Sequence, residues 1–80
     1  MKESLGTELQ IQRDEAQLAD LRTDLARFER RYAMSSADFY GRYQGGQMGD
    51  DADMFEWNAL YRMHTRLADA VEALRSQLRE

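Results

Sequence analysis

Two places in this 80-residue chain hold residue types that do chemistry. The first is YQGGQMGDDADMFEW, Tyr43 to Trp57, which sets three glycines and three aspartates between two aromatics. Clustered carboxylates can hold a divalent cation, and a glycine-rich turn can cradle a phosphate. The spacing supports neither. A calcium loop of the EF-hand kind needs D-x-[DN]-x-[DN]-G with a later glutamate; counted from Asp51, the third residue is Asp53, but Phe55 and Glu56 stand where the third ligand and the glycine belong. GGQMG lacks the lysine of a phosphate loop and the glycine order of a dinucleotide fold, and no strand precedes it. The second place is His64, the only histidine. There is no H-E-x-x-H, no second histidine and no cysteine to complete a ligand set or a nucleophile with its base. Asp20 and Asp24 are four apart, but no E-x-x-H accompanies them as a di-iron bundle requires. No catalytic, metal-binding or cofactor-binding residue is expected, and the chain reads as non-enzymatic.

The same residues have a structural use. Asp50 or Asp51 can cap a following helix, with Asp53 and Glu56 in its first turn, where carboxylates accept orphan amide protons and meet the positive end of the dipole. Gly45 or Gly46 supplies a left-handed helix exit. Ser35 with Asp38 three residues on resembles a capping box, so a short helix is predicted over about 36–44. A helix this short, with Gly41 inside it, must be held by packing. Its Phe39, Tyr40 and Tyr43 lie close enough on one side to dock across the open end of longer helices.

Those longer helices follow from apolar periodicity. Ile11, Leu18, Leu21, Leu25, Phe28 and Tyr32 fall at helical steps, with Asp14 as an interruption that is either a deliberate polar position within the stripe or, the favoured reading, the point where the stripe reaches water near a helix end. This predicts a helix over about 4–33. Trp57, Leu60, His64, Leu67, Val71, Leu74 and Leu78 repeat the pattern without a gap, predicting a second over about 51–79. Met54, Tyr61 and Ala68 widen that stripe beyond one seam. His64 reads as a seam histidine that fixes register or responds to pH.

Composition sets the frame. Eighty residues make one domain, 1–80, and leave much apolar surface in water. Without cysteine there is no disulfide to staple it, and without proline nothing interrupts long helices. The chain opens MKESLGTELQ with no apolar run, so a cytoplasmic protein with no membrane segment is expected. The net charge of −4 is concentrated: Met34 to Glu56 holds 1 basic and 5 acidic residues, while the flanking segments are near balance. With no basic face to release counterions from phosphates, direct nucleic-acid binding is disfavoured. An acidic centre suits a basic partner.

The run FERRYAMSSADFYGRYQGGQMGDDADMFEWNALY, Phe28 to Tyr61, resembles a recurrent pattern of short prokaryotic proteins: F-E-x-x-Y-x-M-S-S-x-x-F-Y, then G-x-x-G-D-D-x-D, then E-W-x-x-L-Y. Such proteins look like the small, antitoxin-like partner in two-gene toxin–antitoxin modules. The resemblance implies a toxin as partner and brings no catalytic residue with it.

The expected architecture is all-α: two long antiparallel helices with a short one at the turn, self-associating as a homodimer in a four-helix bundle because one hairpin cannot cover both wide stripes. Leu18, Leu21, Leu25, Phe28, Leu60, His64, Leu67, Val71, Leu74 and Leu78 are the expected seam. Tyr40, Tyr43, Trp57 and Tyr61 are expected as anchors for a protein partner, with Asp50, Asp51 and Asp53 as steering charges. The alternative is a coiled-coil scaffold whose only partner is itself.

Overall fold

The computed structural model describes the backbone of residues 2–79 and the side chains of residues 5–79. Three helices follow in order: α1 (Lys2–Tyr32), α2 (Ser36–Gln44) and α3 (Ala52–Arg79). Within a residue or two these are the elements that periodicity and capping predict. α1 and α3 pack against each other along an elongated body of 49 × 21 × 17 Å. Their antiparallel sense is fixed by three cross-contacts: Arg31 meets Asp53, Arg22 meets His64, and Glu15 meets Arg75.

The boundaries are chemical. α1 stops where Ala33 turns left-handed (φ 54°), and the Met34 N–H reaches back to the Glu29 carbonyl at 3.3 Å. This is a Schellman closure made with alanine in the place glycine usually takes. α2 starts on Ser35, whose hydroxyl accepts the Asp38 N–H at 3.0 Å. It ends in a second Schellman closure: Gly45 keeps φ −83°, Gly46 takes φ 75°, and the Gln47 N–H bonds the Arg42 carbonyl at 2.8 Å. Of the two glycines, Gly46 is the left-handed one. Of the two candidate aspartates, Asp51 caps α3, its Oδ1 accepting the Met54 N–H at 3.1 Å.

The core divides along the long axis. Leu25, Phe28, Phe39, Met54 and Trp57 form one buried cluster where all three helices meet, and Ile11, Leu18 and Val71 form another where only α1 and α3 remain. Leu21 is buried between them. Of the expected seam residues, Leu18, Leu21, Leu25 and Phe28 of α1 are buried, whereas on α3 only Val71 is; Leu60, His64, Leu67 and Leu74 are half-buried and Leu78 is exposed. Asp14 departs from its reading. It is not where the stripe meets water but lies within it at 9% exposure, its Oδ1 taking a hydrogen bond from Gln10 Nε2 at 2.8 Å. The C-terminal turns of α3 run far enough to cover that part of α1. No helix among the described residues is long and apolar enough to cross a membrane.

Candidate functional site at the acidic aromatic corner

The corner is built around Trp57, which α3 carries nearly two turns past the Asp51 cap. Its indole is fully enclosed, stacked on Phe39 of α2 with ring centroids 3.9 Å apart and planes 4° from parallel. Phe28 and Tyr32 of α1 lie alongside at 5.5 and 5.6 Å. Two other helices thus converge on one indole of α3. Aromatic pairs add about 0.5–1.5 kcal/mol each to simple burial when their centroids lie about 4.5–7 Å apart, as those of Phe28 and Tyr32 with Trp57 do.

Burying an indole N–H requires an acceptor. Trp57 Nε1 donates to Ser36 Oγ at 2.9 Å, and Ser36 Oγ donates to Glu29 Oε2 at 2.7 Å. The Ser36 backbone N–H reaches the same carboxylate oxygen at 3.0 Å. One short chain of hydrogen bonds therefore ties α3 to the first residue of α2 and back to α1. Glu29 also satisfies an orphan amide at the α2 N-terminus, where its charge is favoured by the helix dipole.

A second clamp sits on the other side of the indole. Tyr32 donates its hydroxyl to Asp53 Oδ2 at 2.5 Å, and Arg31 donates to the same oxygen at 2.7 Å. Together they hold the Asp53 carboxyl below its ordinary value, the Tyr32 hydrogen bond first and Arg31 next. The Tyr32 phenol is correspondingly raised, chiefly by its bond to Asp53 and then by burial, and the Arg31 guanidinium is raised by Asp53.

This geometry redistributes the expected site. Trp57 is not available as a partner-facing anchor, because no part of it reaches solvent; it is the centre of the core. Asp53 is not a free steering charge, since Arg31 and Tyr32 occupy it. Asp50 and Asp51 remain exposed, with no ion pair among the described residues. Tyr40 and Tyr61 are half-buried and pack on each other at 5.0 Å, and Tyr43 is half-buried against Phe39 at 5.4 Å. One aromatic was missed: Phe55 is 69% exposed, the most exposed large apolar side chain described. Its signal was present in the spacing. Met54 and Trp57 face the core three residues apart, and a residue one step past Met54 is turned about 100° away.

Two shallow grooves flank the corner. One, about 350 Å³, is lined by Tyr40, Tyr61, Arg62, Thr65 and Arg66. The other, about 380 Å³, runs between Leu25, Glu29, Ser36, Tyr61 and His64 with Arg22 at its edge. His64 Nε2 lies 3.5 Å from the Arg22 guanidinium, which places that nitrogen as an acceptor. Burial, and then the Arg22 charge, lower the histidine pKa, so the ring is neutral at pH 7. No group of three or more His, Cys, Asp or Glu among the described residues is placed to hold a metal ion. Compared with protein-family models, with curated proteins and with solved structures, the chain matches none.

Proposed function

We propose that this chain is a non-enzymatic, antitoxin-like protein-binding module that masks a basic partner through its acidic corner. One observation carries the reading: a corner locked from three sides nevertheless displays Phe55, 69% exposed, with Asp50, Asp51 and Glu56 exposed beside it and in no ion pair among the described residues. An aromatic anchor on a rigid support, surrounded by charges of one sign, suits recognition with little ordering cost. Phe55 replaces Trp57 as the anchor, and Tyr40, Tyr43 and Tyr61 supply partly exposed edges. The resemblance of the corner motif to small partners of two-gene modules is what supports reading that partner as a toxin. The test is co-purification of the native complex with the neighbouring gene product, followed by Asp50→Asn and Asp51→Asn. Asparagine still caps, so folding persists, while association slows in a salt-dependent way. Binding that is indifferent to both substitutions removes the reading.

A second reading, a self-associating scaffold, is favoured by the incomplete cover of the hairpin. Leu67 and Leu74 are half-buried, and Met63 and Leu78 are 40% and 38% exposed. A symmetric homodimer would shield such surface, the four-helix bundle being its simplest form. Sedimentation as a monomer at micromolar concentration contradicts it.

A further inference from the structure

The outward face of α3 next to the corner has a pattern that fits itself. Asp51, Phe55, Asn58, Ala59, Arg62 and Arg66 follow one another along the helix within one stripe, Phe55 and Arg62 three or four residues from the central pair and Asp51 and Arg66 four beyond them; Asn58 is half-buried and the other five are exposed. Phe55 is the most exposed large apolar side chain described, and Arg62 and Arg66 are exposed with no hydrogen bond or ion pair among the described residues. Asp51 spends Oδ1 on the helix cap, and Oδ2 takes no bond from the described residues. The stripe is acidic and aromatic at one end and basic at the other, with small Ala59 at its middle. Turned end for end, it meets its own complement.

We propose that a second copy of this chain docks on this face, the two α3 helices crossing antiparallel about Asn58 and Ala59. Residues equally spaced on either side of that centre then face each other. Asp51 of one copy meets Arg66 of the other, and Phe55 meets Arg62, each contact occurring twice as a two-fold interface requires. A guanidinium over a phenyl ring is an attractive pair, and a carboxylate with an arginine adds orientation. Ala59 lets the helices approach at the crossing point. The groove lined by Tyr40, Tyr61, Arg62, Thr65 and Arg66 opens beside the stripe and has room for the ring of the second copy's Phe55. The inference shares with the self-association reading only its occupant, a second copy; it moves the contact from the half-covered flank of Met63, Leu67, Leu74 and Leu78 to this face, and in such a dimer Phe55 and Asp51 are covered rather than free for a basic partner.

Opposite-charge pairing allows a test in trans. Arg66→Glu sets a carboxylate against Asp51 at both contacts, and Asp51→Lys sets an ammonium against Arg66 at both, so each variant alone is monomeric in sedimentation. Mixed together, the two variants restore both contacts and form a heterodimer, which a change in folding alone cannot do. Phe55→Ala weakens the wild-type dimer at least about tenfold. Helix content by circular dichroism verifies that each variant is folded. If loss of the cap unfolds Asp51→Lys, Asp51→Asn keeps the cap and is expected to weaken the dimer and flatten its salt dependence. A wild-type dimer that survives Phe55→Ala and Arg66→Glu but is broken by Leu67→Asp overturns this face and leaves self-association standing. A wild-type monomer overturns both.

Discussion

The two ends of the hairpin are made from the same helices and held in different ways. At the corner, α2 gives the α1–α3 seam a third wall, so Trp57 and Phe39 are fully enclosed and the polar edges around them are tied by Ser36, Glu29, Tyr32 and Asp53. In the distal half there is no third wall. Only Ile11, Leu18 and Val71 are buried in its cluster, Leu67 and Leu74 are half open, and the cross-helix polar contacts among the described residues are Arg22 with His64 and the exposed pair of Glu15 with Arg75. Two helices touching along a line can enclose only the residues on that line. A third element, even one nine residues long, is what converts a seam into a core.

The contrast can be broken most directly at its centre. Trp57→Ala removes the ring against which α1 and α2 pack and should cost about 3–5 kcal/mol, a large share of the stability of a domain of this size, whereas Leu18→Ala in the distal half should cost about 2 kcal/mol because neighbouring side chains and solvent relax into the gap. Chemical denaturation of both variants compares them, and equal losses would dissolve the distinction between the two ends. Ser36→Ala isolates the polar lock: it leaves the buried indole N–H without an acceptor and should cost about 1–3 kcal/mol, although it removes a single oxygen. The same substitution at exposed Ser35 removes only a cap and should cost about 1 kcal/mol.

The ends should also differ in their response to pH. The His64 pKa is lowered in the fold, so between its folded value and 6.5 the unfolded chain binds more protons, and stability falls as pH drops through that window. Asp53 acts lower: its carboxyl is depressed below 3.8, so its contribution is complete above that value and is lost as pH falls through the folded pKa. On acidification the His64 contribution should therefore begin to be lost below 6.5, and that of Asp53 only below 3.8. Proton NMR of the His64 ring against the Tyr32 ring follows the two separately, and simultaneous loss would contradict the order. The smallest effect is expected at Ala33, where φ is 54°. Ala33→Gly relieves about 1–2 kcal/mol of left-handed strain but gives back most of about 1 kcal/mol in unfolded-chain entropy, so thermal melting should move little, and upward.

Much of this is readable before any coordinate. The steps from Ile11 to Tyr32 and from Trp57 to Leu78 fix two long helices, and Ser35, the Gly45–Gly46 pair and the Asp50–Asp51 pair mark where the short helix begins and ends and where the last one starts, because capping and periodicity depend on residues within one or two turns; which member of each pair acts is decided by the fold. Phe39 is legible as a docking residue for the same reason, since a nine-residue helix with one aromatic side has no other source of stability. Ser36 is not legible. Beside the cap residue Ser35 it is an ordinary helix-start serine, and its importance lies in Trp57, 21 positions away.

The sequence alone therefore determined the three helices, their ends and the placing of negative charge at the turn. Only the tertiary structure decided which of those side chains are left for solvent or a partner. Trp57, an expected anchor, is enclosed while neighbouring Phe55 stands out; Asp53 is clamped while Asp51 is open; Asp14, expected in water, is under α3. The reason is physical. A residue's helix is chosen by neighbours along the chain, but its exposure and its partners are chosen by whatever distant segment arrives at its face, and at this corner each helix meets the other two at once.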